Sequence, residues 1–271
     1  MCREWVPRDG DHPDTGGPGR PNRNERPAMG DVSAPGGRHT CPVQHFFRHE
    51  VDPLVIGGPD HRTYLAFYLT LLVLLVSARD LARRREELVR RTLVLVSVAQ
   101  QLVMYGVHLA RGDRWAAALP LHVCRLCTLL GLVWLLTGED WAMQVAFYLG
   151  LFAYGSLAYP YGIEPRDHVM GWSFVVNHSL TLLLPVYAGV VHGWRPHLRG
   201  LGWSYLAFLG YLAVADRTNR RTGGNYFYLQ DRPVLRSLSH RRYLATAAAG
   251  AAGLFGAGYA VSRLWVRESS R

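Results

Sequence analysis

The chain contains no lysine: all 30 of its basic side chains are arginines, and with 20 acidic residues the net charge is +10. Exclusive use of arginine is typical of a GC-rich coding bias, so the charge does not by itself indicate nucleic acid. No helix-turn-helix, zinc-finger or RNP-like pattern accompanies it. We therefore expect no nucleic-acid partner.

Cysteine is also scarce, because four cysteines in 271 residues are too few for a disulfide scaffold. Cys124 and Cys127 have the spacing of a redox pair, but a membrane thiol-disulfide oxidoreductase needs a second shuttle pair, and the spare cysteines lie in the N-terminal segment. A zinc site through His122, Cys124, Cys127 and His178 lacks compact paired spacing. We expect reduced thiols, no metal and no cofactor, and we keep the oxidoreductase as an alternative.

Residues 1–50 lack an apolar run of signal-peptide length and are rich in Pro, Gly, Arg and Asp. This composition predicts a disordered N-terminal tail. Residues 51–271 are different, because their apolar residues come in long runs. We predict that this second part is a helical integral membrane domain.

The apolar runs predict the fold class. A helix of about 20 residues crosses a hydrocarbon core about 30 Å thick, and backbone groups in lipid must satisfy their own hydrogen bonds. We predict an all-α, polytopic membrane helical bundle of about seven transmembrane helices in the cell membrane. The predicted spans are 63–78, 92–110, 115–137, 141–162, 169–192, 201–215 and 243–265, of which the first and sixth are short.

A chain with seven spans has its second, fourth and sixth connections on one membrane face, where the third and fifth helices begin. Cys124 is the tenth residue of the run that begins at Trp115, and His178 is the tenth of the run that begins at Val169. Similar depth favours a Cys/His pair, in which the imidazole takes the thiol proton and the thiolate forms a thioester. The alternative is an inert buried cysteine and a histidine bonded to a neighbouring helix.

Other polar residues lie in or near the spans. If Pro120 occupies the first helical turn, His122 and Arg125 share one face of the third helix. A buried Arg125 needs a partner, for which Asp216 is the first candidate, unless it snorkels to the interface. Arg125, His122 or Asn177 would stabilise a developing oxyanion. Interhelical hydrogen bonds are the expected role of Gln100, Gln101, His108 and Gln144.

The sixth connection combines a glycine pair with aromatic residues, among them Tyr226 after Asn225. This combination favours a flexible cover over a headgroup-sized pocket, in which Asn225 and Tyr226 contact substrate. An interfacial aromatic belt is the alternative.

Short motifs in this order resemble a bacterial family of integral membrane proteins, the YwaF-like family, over roughly residues 54–265. That family is similar to the eukaryotic transmembrane protein 164 acyltransferases, and more remotely to androgen-induced hydrolases of fatty-acid esters. The motifs are Gly58-Pro59-Asp60-His61, Leu119 to Cys124, Asn177-His178 with Leu184-Pro185-Val186-Tyr187, Trp194-Arg195-Pro196, and Asn225 to Leu229 with Pro233.

The resemblance implies a nucleophile at Cys124 and a histidine partner at His178. It also implies membrane lipids as partners, with a lysophospholipid or acyl-ester substrate. We therefore expect an acyltransferase or lipid-ester hydrolase with a thioester intermediate. A non-catalytic membrane protein and a small-molecule transporter remain alternatives.

Overall fold

The computed structural model describes residues 46–47, 51–112 and 119–269, and within these ranges the chain forms helices and loops without a β-strand. The predicted all-α fold is confirmed. The predicted tail, residues 1–50, lies outside the described residues apart from Phe46 and Phe47. Trp115, where the third predicted span begins, also lies outside them.

Each predicted apolar run has a helical counterpart in the structure. The helices are α1 Pro59–Ser77, α2 Arg79–Arg84, α3 Glu86–Ala110, α4 Val123–Thr137, α5 Asp140–Gly150, α6 Phe152–Ala158, α7 Val169–His192, α8 Leu198–Thr222, a 3₁₀ turn Tyr226–Tyr228, and α9 His240–Ser269.

Four helical segments of the described chain are long and apolar enough to cross a membrane, judged by length and composition. They are α3, α5 with α6 as Asp140–Ala158, α7, and residues His240–Arg263 of α9. Helix α4 has 15 residues, about 22 Å of helix, and is too short for a ~30 Å core. Helices α1 and α8 are not apolar enough. The count of seven spans stays a prediction.

Helix α7 is the centre of the bundle, since it contacts α1, α2, α3, α4, α5 and α6. Its buried side chains extend from Val169 to Val190 and include Val175, Leu184 and Tyr187. Polar side chains on a helix surrounded in this way are stabilised by partners inside the protein. Asn177 of α7 accepts hydrogen bonds from two neighbouring helices, whereas the Ser179 and Tyr187 hydroxyls have no partner within the described ranges.

Helix α4 begins at Val123, so the prediction that Pro120 occupies its first turn is wrong. Two tertiary hydrogen bonds explain the late start. The Leu119 carbonyl accepts from Arg125 Nη1 at 3.3 Å, and the Leu121 carbonyl accepts from the Tyr211 hydroxyl at 2.8 Å. These bonds turn both carbonyls away from the helix axis and leave His122 with extended backbone, φ −72° and ψ 129°.

Gly171 provides a test of how tightly α7 is packed near its first turn. A Cβ at this position would meet the backbone oxygens of Glu164 and Pro165 and the Tyr64 hydroxyl. Because backbone cannot easily move aside, we expect Gly171→Ala to lower the free energy of unfolding by about 1–3 kcal/mol. The measurement is thermal unfolding of the full chain in detergent.

Gly210→Ala is the matched control, because Gly210 lies in a helix where an added Cβ would have no neighbouring atom within 4 Å. It should leave the melting temperature unchanged or raise it slightly, as alanine favours helix. Equal melting temperatures for the two variants would contradict the packing described for Gly171.

Candidate functional site

A cavity of about 550 Å³ lies where α4 and α7 begin and α3 and α6 end. Loop residues on three sides line it: His122 before α4, Tyr159 and Tyr161 after α6, and Phe227 and Tyr228 after α8. The predicted common face of the even-numbered connections rests on seven spans and stays a prediction. Most of its wall is apolar. The side chains in the wall that can do chemistry are His122, Cys124, Arg125, Glu164, Asn177 and His178.

Cys124 is the second residue of α4 and is 8% exposed. It therefore lies in the first turn of its helix, whereas the sequence predicted that it lay near the middle of a span over residues 115–137. Its backbone carbonyl accepts hydrogen bonds from the hydroxyls of Thr128 and Thr181, at 3.1 and 3.3 Å. Its thiol, which lines the cavity, has no hydrogen-bond partner among the described residues.

His178 is also 8% exposed, and its Nδ1 lies 2.8 Å from the Phe174 carbonyl oxygen. A carbonyl only accepts hydrogen bonds, so Nδ1 carries a proton, and in the neutral imidazole Nε2 is then the acceptor. The centroid of the Phe174 ring lies 4.0 Å from that of the imidazole, and this contact holds the orientation of the imidazole. In its neutral form, His178 thus accepts a proton through Nε2. No hydrogen bond joins it to Cys124 in the described structure.

Asn177 links three helices through its side-chain oxygen. Oδ1 accepts from Thr128 Oγ1 at 2.8 Å and from Gln101 Nε2 at 3.3 Å, which joins α7 to α4 and α3. The Asn177 Nδ2 group has no partner among the described residues, although the side chain is only 5% exposed and lines the cavity. Its two N–H bonds are therefore available to a bound molecule.

Three of the four predicted interhelical hydrogen bonds are confirmed. Gln100 and Gln101 bond to Ser173 and Asn177 on α7, and His108 bonds to Arg125 on α4. Gln144 instead bonds to the loop between α7 and α8, where the Arg195 carbonyl accepts from it.

Arg125 is buried and faces the bundle interior, but the prediction that Asp216 is its partner is wrong. Arg125 Nη2 contacts His108 Nε2 at 3.0 Å, and its guanidinium lies 5.9 Å from the Tyr105 ring centroid. Asp216 instead pairs with residues at the ends of α8 and α9, Arg220 at 2.6 Å and His240 at 2.9 Å. Asp216 pairs with these residues because they lie close to it, Arg220 being one turn away on the same helix.

The backbone at the start of α4 supplies two further donors. The N–H groups of Val123 and Cys124 belong to the first turn, where no intrahelical acceptor exists, and no side chain caps them. Both residues line the cavity. This end of the helix therefore favours a partial negative charge in the cavity beside Cys124.

The sixth connection reaches the cavity with Phe227 and Tyr228 rather than with the residues that the sequence indicated. His122 lines the cavity, and the fully buried Tyr226 lies behind it at a ring distance of 5.0 Å. Asn225 accepts from the Gln230 backbone N–H at 3.0 Å and stabilises the loop. Asn225 and Tyr226 thus support the wall and do not line it.

Phe227 and Tyr228 both have left-handed backbone, with φ of 54° and 51°. Aromatic residues in this conformation cost on the order of 1–3 kcal/mol each. Packing of the Phe227 ring against Phe152 and Phe208, at 5.1 and 5.3 Å, offsets part of this cost. Sequence reasoning missed these two residues because it took the preceding glycines as the conformationally special ones.

The two helix thiols have different surroundings. Both belong to buried core clusters, Cys127 with Tyr148 and Phe208 and Cys124 with Tyr68 and Leu157, but Cys124 alone of the two also lines the cavity. Both are free thiols. Among the described residues, no three His, Cys, Asp or Glu side chains are grouped to hold a metal ion.

This difference predicts selective modification. We expect a small thiosulfonate reagent to modify Cys124 in the folded protein at least tenfold faster than Cys127, because only Cys124 meets the cavity. Mass spectrometry of peptides separates these two from Cys2 and Cys41. Cys124→Ser should abolish this label and Cys127→Ser should retain it; equal rates at both thiols would contradict the cavity geometry.

Comparison with known proteins identifies relatives of this chain. An uncharacterized protein of Treponema pallidum (strain Nichols) is 24% identical over 164 residues, which cover 60% of this chain and 68% of that protein. No solved structure matches the chain.

Residues 56–259 match the TMEM164 family, which agrees with the transmembrane protein 164 resemblance noted in the sequence. The match contains every wall residue to which chemistry is assigned above. Together with the four apolar helices, it makes this chain a membrane protein that belongs to the TMEM164 family.

Proposed function

We propose that this protein is a multi-pass enzyme of the cell membrane that transfers or hydrolyses lipid acyl groups. The observation that carries the proposal is the shared cavity, whose mostly apolar wall includes Cys124, His178, Asn177 and the first turn of α4. Its volume lies within the range of ordinary ligand pockets, roughly 300–1,000 Å³. The acyl chain of a lipid would occupy the apolar part.

The reaction begins with proton transfer from the Cys124 thiol to His178 Nε2. The thiolate attacks the ester carbonyl carbon, a C–S bond forms, and the C–O bond to the leaving alcohol breaks as His178 returns the proton to that alcohol. The product on the enzyme is a thioester. A second alcohol, or water, then gives its proton to Nε2 and attacks the thioester, which releases the new ester or the acid together with the Cys124 thiol.

The carbonyl oxygen gains negative charge in both steps, and the cavity has donors for it. The Val123 and Cys124 backbone N–H groups and the Asn177 Nδ2 group have no partners among the described residues, so they lose no existing hydrogen bond when they bind the oxygen. Arg125 and His122 add positive or polar character to the same wall. Preorganised donors of this kind are worth about 2.7–4 kcal/mol each in known acyl-transfer enzymes.

We favour this proposal over a non-catalytic membrane protein because Cys124, His178 and Asn177 line one cavity. Unpaired polar atoms alone would not distinguish the two, since Ser97 and Ser204 also have unpaired hydroxyls within the described residues. The oxidoreductase alternative needs Cys124 and Cys127 to act together, yet one borders the cavity and the other is packed in a core cluster. The transporter alternative has no specific observation in its favour.

Covalent labelling tests the proposal. We expect an activated thioester with a fluorescent acyl chain to label the wild-type protein in membranes. Cys124→Ser removes the nucleophile and His178→Ala removes the base, so each should reduce labelling at least ~100-fold, the lower end of the usual effect of a general base. Gel fluorescence and peptide mapping measure the label.

Cys127→Ser is the matched control, since it removes a thiol from the same helix outside the cavity. It should label as the wild type does. Equal labelling of wild type, Cys124→Ser and His178→Ala would rule out acyl transfer through this pair.

A further inference from the structure

Three tyrosines of the fourth and sixth connections line the cavity without contributing to the reaction proposed above. The rings of Tyr159 and Tyr161 are parallel within 5°, with centroids 6.4 Å apart. The Tyr228 ring meets Tyr161 at 74° and 6.0 Å. The three rings therefore present aromatic faces and edges in two nearly perpendicular directions.

A carboxylate accompanies these rings. Glu164 also lines the cavity, and its backbone oxygen accepts a hydrogen bond from the Tyr64 hydroxyl at 3.0 Å. The Glu164 carboxylate itself has neither a hydrogen bond nor an ion pair within the described ranges. A negative charge and electron-rich aromatic faces that line one cavity together favour a cation.

The protein's own cations do not use this place. No guanidinium lies over the rings of Tyr159, Tyr161 or Tyr228 in the described part of the chain. By contrast, Arg232 lies 4.3 Å from the ring centroid of Tyr243, which lines the same cavity. The Tyr243 ring thus binds a cation of the protein, whereas the other three tyrosine rings have no guanidinium over them within the described residues.

The residues that line the cavity differ in their exposure to solvent. Tyr159 and Tyr228 are 47% and 37% exposed, whereas Cys124 and Arg125 are 8% and 9% exposed. The outer end of the cavity is therefore aromatic and acidic, and the inner end carries Arg125 and the N-terminus of α4. Burial also raises the pKa of Tyr228, so its ring stays a neutral phenol.

We propose that Tyr159, Tyr161, Tyr228 and Glu164 form a binding site for an ammonium group, and that this group is the cationic end of a zwitterionic lipid headgroup. The polarity of the cavity matches such a molecule, because its phosphate would face the inner cations while its ammonium lies among the tyrosines. The identity of the bound molecule as a lipid rests on the proposed function; the ammonium site rests on the rings and Glu164.

The test measures equilibrium binding of two lysolipid probes to the full chain carrying Cys124→Ser, which prevents turnover. The probes share one fluorescent chain and differ only in headgroup, phosphocholine or phosphoglycerol. We expect a preference of about 5- to 30-fold for phosphocholine, the range of cation–π interactions at partly buried sites. Tetramethylammonium chloride, but not sodium chloride, should displace the phosphocholine probe.

The variants separate this site from an interfacial aromatic belt. Tyr161→Leu and Glu164→Gln should abolish the preference, and Tyr161→Phe should retain it because the ring face is kept. Tyr154→Leu is the control, as Tyr154 is an exposed tyrosine of α6 outside the cavity wall. It should leave both affinities unchanged.

Equal affinity for the two headgroups, or equal loss of both in Tyr161→Leu, would overturn the ammonium site. Tetramethylammonium binding as tight as that of the phosphocholine probe would assign the site to a soluble amine and overturn the lipid headgroup. Neither result affects the acyl-labelling experiment. If the protein is labelled at Cys124 but shows no headgroup preference, the ammonium site is overturned and the acyl-transfer proposal stands.

Discussion

The site depends on hydrogen bonds between polar side chains that are buried away from water, and the Asn177 carboxamide is the centre of these bonds. Its oxygen accepts hydrogen bonds from Thr128 on α4 and Gln101 on α3. Losing that acceptor would leave one buried N–H of Gln101 unpaired, at a cost of about 1–3 kcal/mol, whereas Thr128 would keep the Cys124 carbonyl as its acceptor. The same contacts set the rotation of α7 against α4, and this rotation brings His178 and Cys124 to one cavity.

The late start of α4 has a similar cause and a functional consequence. Arg125 and Tyr211 bind the carbonyls of Leu119 and Leu121, so the chain before Val123 cannot continue the helix. A longer helix would occupy the cavity and use the N–H groups of Val123 and Cys124 internally. The short helix leaves space beside the thiol and two donors that face it.

Two residues with strained backbone lie at this cavity. Phe227 and Tyr228 have left-handed backbone, and aromatic packing rather than glycine stabilises it. Such conformations persist where the surrounding structure determines them and are found preferentially at functional sites. The cation–π contact of Arg232 with Tyr243 stabilises the same connection. The loop is thus a fixed part of the wall.

The helices themselves could be predicted from the sequence, because the apolar runs depend only on local composition and on the requirement that backbone in lipid bonds to itself. The common face of the even-numbered connections depends on seven spans and stays a prediction, although Cys124 and His178 do line one cavity. The interhelical roles of Gln100, Gln101 and His108 followed from the cost of burying an amide or imidazole alone. These inferences need no knowledge of which helices are neighbours.

The partner of Arg125, the first residue of α4 and the lining of the cavity were decided by tertiary structure. Each residue along a helix rotates the side-chain direction by about 100°, so a helix that begins three residues late presents different groups to its neighbours. Asp216 and Arg125 have complementary charge, but Arg220 lies nearer to Asp216. Composition and spacing are local properties, whereas a hydrogen-bond partner is chosen by distance in the folded chain.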